Sequence, residues 1–146
     1  MDRKKKILVV IAGIFAFVCV ITAVVLVHVA GIYAPSDGKI LYEIKGTGIA
    51  QEDTLSEEEI VKMKTILWRK IRWPESLYGY PACGFNREFA IILDGTRYVL
   101  AWDGCGVICV EGTGINAGRS FYISITKAER EIIADMFHAR GTWVGV

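Results

Sequence analysis

The chain has 146 residues, 53% of them hydrophobic, and 17 Lys and Arg stand against 16 Asp and Glu. So even a charge balance offers no basic footprint for nucleic acid. The length allows one small domain beside any targeting or membrane segment, because domains of about 100 to 150 residues are the commonest.

The first element is a membrane-spanning helix. After Asp2-Arg3-Lys4-Lys5-Lys6, the stretch from Ile7 to Tyr33 contains no Asp, Glu, Lys or Arg. About 20 helical residues cross the roughly 30 Å of bilayer hydrocarbon, so residues 1–33 read as a cytoplasmic tail and a transmembrane helix. Four basic residues precede the run, whereas Tyr33 to Gly38 carry only Asp37. The positive-inside rule then keeps the N-terminus in the cytoplasm and sends residues 34–146 outside, with the lipid bilayer as first partner. A cleaved signal peptide fits less well. Cutting after Ala34 would put Ile32 at minus three and Pro35 beyond the cut, cutting after Ala30 would put His28 at minus three, and only Val29-Ala30-Gly31 is tolerable. Cys19 lacks the small-residue context of a lipoprotein acceptor, and Thr22 can bond its own helix. His28 is expected at the outer headgroups. Ala12 and Ala16 form a small-xxx-small pair of the kind seen at helix dimers.

Residues 34–146 read as one extracytoplasmic α+β domain with thirteen Lys and Arg against fifteen Asp and Glu. Lys39 to Lys45 is a predicted strand with Ile40, Tyr42 and Ile44 on one face. Ser56 and Glu59 have capping-box spacing, and Ile60, Met63, Leu67 and Ile71 continue a helical stripe as far as Pro74. Glu57 and Glu58 beside Glu59 complement the helix dipole. Trp73 to Glu88 reads as an aromatic loop, in which Trp73, Tyr78, Tyr80 and Phe85 are candidates to line a ligand or glycan groove. Phe89 to Leu93, Tyr98 to Trp102 and Val107 to Val110 follow as a meander, separated by the turn dipeptides Asp94-Gly95 and Asp103-Gly104. Gly112 to Gly118 is a hairpin connection, because a phosphate-binding glycine loop would have to lead directly into a helix. Phe121 to Ile125 is a further strand. Thr126 and Glu129 open a last helix to about Arg140, with Ile132, Ile133, Met136 and Phe137 as its stripe and Gly141 as its cap. Trp143 to Val146 is expected to pack on that helix. The order implies a small antiparallel sheet with two helices on one face.

Two echoes run through this domain. Gly46-Thr47-Gly48-Ile49 returns as Gly112-Thr113-Gly114-Ile115, and the Leu55-Ser56 cap returns as Ile125-Thr126. A duplicated strand-loop-helix unit would produce both, although the distance from glycine motif to cap differs between the copies.

Cys83, Cys105 and Cys109 lie outside the span, where a disulfide can persist. Cys105 and Cys109 in one extended segment would be about 13 Å apart, too far to bond. Cys83 is therefore a partner in any bond. Cys105 beside a turn is the better mate than Cys109 within a strand, and Cys109 is then the free thiol; three buried free thiols are the alternative. A thiol enzyme would need one of these cysteines with His138 and Asp103 or Asp135, but no local motif joins them. Cys105 and Cys109 lack Cys-x-x-Cys spacing, and zinc would require Cys83, Cys105, Cys109 and His138 to converge, so neither metal nor cofactor is expected.

The order Cys83-Gly84-Phe85, Leu93-Asp94-Gly95, Ala101-Trp102-Asp103-Gly104-Cys105 and Phe121-Tyr122-Ile123 resembles small uncharacterised extracytoplasmic domains of Gram-positive membrane proteins and lipoproteins. The resemblance covers roughly the last half of the chain. It implies a Cys-framed β-rich domain and a Cys83 to Cys105 link, and it implies no reaction. The expected function is a membrane-anchored binding or interaction module, with a protein partner or cell-surface ligand. A thiol-dependent enzyme or redox partner and an accessory subunit of a membrane complex are the other readings.

Overall fold

A computed structural model describes residues 3–34, 36–44, 47–74, 81–101, 103–112 and 117–142. The chain forms two compact units, residues 1–34 and 35–146. The first is a single helix, α1 (Arg3–Tyr33). Within it Val9–Tyr33 is long and apolar enough to cross a membrane. Its described apolar side chains from Val9 to Val29 are exposed within the unit. Its polar groups turn back on the helix: Thr22 Oγ1 donates to the Val18 carbonyl at 2.9 Å, and His28 Nδ1 lies 3.2 Å from the Val24 carbonyl.

The second unit is α+β. Its seven strands are β1 (Gly38–Glu43), β2 (Ala50–Thr54), β3 (Trp73–Pro74), β4 (Phe85–Leu93), β5 (Thr96–Ala101), β6 (Val107–Glu111) and β7 (Ser120–Ser124). Among the described residues the helices are α2 (Glu57–Leu67) and α3 (Lys127–His138). Every neighbouring pair is antiparallel, in the order β2-β1-β4-β5-β6-β7-β3. Alternation splits the side chains between the faces. Ile40, Tyr42, Phe89, Ile91, Leu93, Tyr98, Leu100, Ile108, Val110 and Ile123 meet Ile60, Met63 and Ile66 of α2 and Ile133, Met136 and Phe137 of α3 in the main core. Ala90, Val99, Cys109 and Tyr122 are buried on the opposite face. Gly38 leaves room for α2, since a Cβ there would stand 2.7 Å from Ile60 Cγ1.

Two strands were not expected. β2 is Ala-Gln-Glu-Asp-Thr, exposed along its length and without an apolar alternation to announce it. It exists because β1 pairs with it, and Lys39 Nζ reaches Glu52 Oε1 across the ladder at 2.7 Å. β3 is only Trp73 and Pro74, paired with Tyr122 and Phe121. Proline is tolerated there because β3 is a sheet edge. The expected aromatic loop is thus a strand at Trp73 and the start of β4 at Phe85. β1 ends at Glu43, two residues before the expected Lys45.

The helices also depart from the simple periodicity. α2 stops at Leu67, the Lys70 N–H closes a turn onto the Leu67 carbonyl, and Ile71 is 82% exposed. The expected stripe ran on to Ile71, but the chain must leave the helix to bring Trp73 to the sheet edge. On α3 the buried set is Ile133, Ala134, Met136 and Phe137, while Ile132 is 40% exposed. One step is about 100° on a helix, so Ile132 falls on the flank of the stripe.

The registers reveal an internal two-fold relation. Moving 70 positions along the chain carries β2 onto β7, the Ser56 cap onto Thr126, Glu59 onto Glu129 and Lys70 onto Arg140. Moving 68 positions carries β1 onto β6, because the β6–β7 connection is two residues longer than that between β1 and β2. Under this mapping the pair Lys39 and Thr54 becomes Val107 and Ser124, and Ile40 with Ile91 becomes Ile108 with Leu100. The axis passes the Ala90–Val99 pair at the centre of the sheet. The unequal glycine-to-cap spacing in the sequence is this two-residue difference combined with a shift of the motif relative to its strand.

The helix pair is clasped at both ends by the same device. Glu59 and Glu129, each the N3 residue of its capping box, accept from the backbone N–H of Ser56 and Thr126. Each then binds a cation from just beyond the other helix. Arg140 Nη1 donates to Glu59 Oε1 at 2.7 Å, and Lys70 Nζ to Glu129 Oε2 at 2.6 Å. Arg140 also reaches Asp53 Oδ2 and the Met136 carbonyl. The Arg140 hydrogen bond, aided by Ser56, outweighs burial and lowers the Glu59 carboxyl to about 2. Burial would raise Glu129, but Lys70 and Thr126 together hold it below its ordinary value.

A carboxyl lowered in the folded state contributes stability above its unfolded value near 4.5, and that contribution is lost as pH falls towards about 2. The loss from Glu59 is expected to be on the order of 1–2 kcal/mol, reduced from the full linkage value because the carboxylate is partly solvated. Arg140→Ala should cost about 2 kcal/mol at neutral pH and flatten the acid limb of the stability curve. Denaturant midpoints from pH 7 to pH 2 check both. An unchanged acid limb in the variant would show that Glu59 does not depend on Arg140.

Candidate functional site

Three of the residues singled out by the sequence meet at one corner of the second unit. β5 ends at Ala101, opposite Phe85 at the start of β4, and the segments running on from these two residues carry the cysteines. Cys83 and Cys105 form a disulfide with Cα atoms 6.3 Å apart. Asp103 lies between the two segments. Its Oδ2 accepts from the Gly84 N–H at 3.1 Å and its Oδ1 from the Cys105 N–H at 3.2 Å. The corner is therefore tied twice, once by sulfur and once by a carboxylate.

Asp103-Gly104 does not make the tight primed turn that the dipeptide announces. Asp94-Gly95 does, with φ of 47° and 79° at its two central residues. In the second connection Gly104 and Gly106 take left-handed φ of 71° and 70°, and Asp103 does not. The carboxylate that bonds the N–H two residues on, at Cys105, favours this wider bend. The Ile125 N–H donates to the Gly106 carbonyl at 2.8 Å, which fixes the bend against the end of β7. A Cβ at Gly106 would stand 2.9 Å from the Ile125 carbonyl, so glycine is required by space as well as by φ.

Cys109 is a buried free cysteine on the face away from the helices. Burial pushes its thiol up, against a smaller opposing effect from a Ser120 hydrogen bond. A raised thiol holds little thiolate at neutral pH, and thiolate is the nucleophile. His138 is on α3 in the helix layer, where Nδ1 lies 3.7 Å from Asp135 Oδ1. Cys109 is on the face of the sheet opposite the helix that carries that pair.

The aromatic candidates divide. Trp73 and Phe85 both lie against Tyr122, with ring centroids at 4.9 and 6.0 Å. Tyr122, which stands in the Phe121-Tyr122-Ile123 run but was not among the candidate aromatics, is fully buried at the middle of this row. The signal available was its alternation with Phe121 and Ile123, whose side chains turn to the helix face. Tyr78 and Tyr80 lie outside the described residues, as do Trp102, the glycine loop at 113–116 and the tail at 143–146. Half-buried Leu41 and Val107 extend the apolar patch. Glu111 at its margin pairs with Arg87 at 2.7 Å and Arg97 at 3.7 Å. The face thus holds a row of half-buried Trp73 and Phe85 on fully buried Tyr122, beside a charged margin.

No protein-family model matches the chain, and neither a curated protein nor a solved structure matches it significantly.

Proposed function

We propose that the protein is a single-pass membrane protein whose α+β domain, residues 34–146, is displayed outside the cytoplasm and acts by binding a protein partner or a surface ligand. The observation that carries the proposal is α1, in which Val9–Tyr33 can cross a bilayer and Arg3, Lys4, Lys5 and Lys6 stand on one side of the span. The Cys83–Cys105 bond supports the same address, since disulfides persist in oxidising compartments. The binding role, in preference to thiol chemistry, draws on half-buried Trp73 and Phe85, which frame this face, and on a Cys109 thiol that burial raises away from reactivity.

The orientation is tested in intact cells. Protease added outside should remove an epitope placed after Val146 and spare one placed before Met1, and the mature protein should retain the α1 sequence. The opposite accessibility would overturn the orientation. A mature chain beginning at about residue 32 would replace the anchor with a signal sequence. Exchanging Ile7 to Tyr33 for an unrelated span should leave partner capture intact, whereas its loss would point to a helix that docks within a membrane complex.

A further inference from the structure

The geometry points to a second state for the Cys83–Cys105 corner: once reduced, it is a binding site for a borderline-soft divalent cation such as zinc, held by both cysteines and Asp103. The Sγ atoms of Cys83 and Cys105 and a carboxylate oxygen of Asp103 all lie within 4.8 Å of one another. Two thiolates and one carboxylate make a donor set that suits zinc, with a fourth position left for water. Cys105 and Asp103 are exposed and Cys83 is half-buried, so the cation and its water have access.

Three features keep this site together when the sulfur bond is opened. Neither cysteine belongs to either apolar cluster, so reduction removes no core side chain. The pairing of Phe85 with Ala101 holds the strands that lead into the corner. Asp103 continues to join the two segments through the Gly84 and Cys105 N–H groups, and those bonds also orient its carboxylate, as outer-shell donors orient metal ligands generally. Zn–S bonds of about 2.3 Å at a tetrahedral angle place two sulfurs roughly 3.8 Å apart. Cysteines whose Cα atoms are 6.3 Å apart reach that separation by side-chain rotation.

The chemistry balances with a dithiol as reductant. It delivers two electrons and two protons to the Cys83–Cys105 bond and becomes a disulfide itself, leaving two thiols in the protein. The cation then takes both sulfurs as thiolates, and the two thiol protons pass to solvent. The disulfide and the metal exclude one another because both use the same sulfur atoms. The corner would therefore report the redox state of its surroundings as a choice between crosslink and cation.

The test uses the full chain in detergent micelles, reduced with a water-soluble phosphine and freed of it, with cobalt(II) alone as a spectroscopic stand-in for zinc. A Cys19→Ser, Cys109→Ser background leaves only the two corner thiols. One equivalent of cobalt should give a thiolate charge-transfer band after reduction and none before it. Cys83→Ser should abolish the band, and Asp103→Asn should weaken binding at least tenfold. In the otherwise unaltered reduced chain, zinc should slow alkylation of Cys83 and Cys105 and leave Cys109 unchanged, which keeps the test independent of how the variants fold. Absence of the band in the reduced chain, equal alkylation rates with and without zinc, or an affinity indifferent to Asp103→Asn would each overturn the inference.

Discussion

Phe137→Ala is expected to lower the stability of the outer domain by about 3–5 kcal/mol. Phe137 is 0% exposed and stands in the main core, where its ring lies 6.3 Å from that of Phe89. Truncation removes its transfer free energy and leaves a cavity lined by sheet and helix, which rigid neighbours fill only partly. A domain of this size has about 5–15 kcal/mol in total, so the variant should be substantially unfolded at modest denaturant concentration. Ile132→Ala on the same helix should cost less than about 1 kcal/mol, because that side chain is 40% exposed. All four tryptophans lie after residue 34, so their fluorescence reports the outer domain without interference from α1. Equal midpoints for the two variants would mean that α3 does not present the face described here.

Opening the disulfide should be the next largest loss. Cys83 and Cys105 are 22 residues apart in sequence, and closing a loop of that length restricts the unfolded chain by about 3 kcal/mol. Cys83→Ser is expected to lower the denaturant midpoint by a corresponding amount while leaving the folded fluorescence spectrum close to that of the parent, since the core is elsewhere. Cys109→Ser should behave differently. It leaves the crosslink intact and perturbs only the smaller cluster around Tyr122, for a cost of about 1 kcal/mol. If reduction of the parent chain left the midpoint unchanged, the loop-closure argument would fail for this corner.

These expectations show where sequence reasoning was strong. Both capping boxes were legible, because Ser56 with Glu59 and Thr126 with Glu129 carry a local signal that needs only three intervening positions. Asp94-Gly95 was legible for the same reason: the turn is decided by two residues. β2 was not, since Ala50–Thr54 has neither β-branched bulk nor alternation until the last residue, and its pairing with β1 is what makes it a strand. Tyr122 was passed over because the ring that covers it, Trp73, comes from a strand almost 50 positions earlier in the chain.

The clasps make the same distinction within single residues. Glu59 and Glu129 were readable as caps, but their ties to Arg140 and Lys70 join groups 81 and 59 residues apart. The two-fold relation was audible in the repeated motifs, yet only the strand registers make it exact enough to place an axis at Ala90 and Val99.

The sequence by itself determined the apolar span, the two-unit division of the chain, the helix starts and the α+β class. Each of these depends on composition or on neighbours within a few positions, where local backbone and solvent preferences dominate. Only the tertiary structure decided the strand order, the double tie at Cys83, Asp103 and Cys105, and the burial of Tyr122 and Cys109 on the far face. Those depend on contacts between distant segments, whose registers are set jointly by packing and hydrogen bonding and by no short stretch of the chain alone.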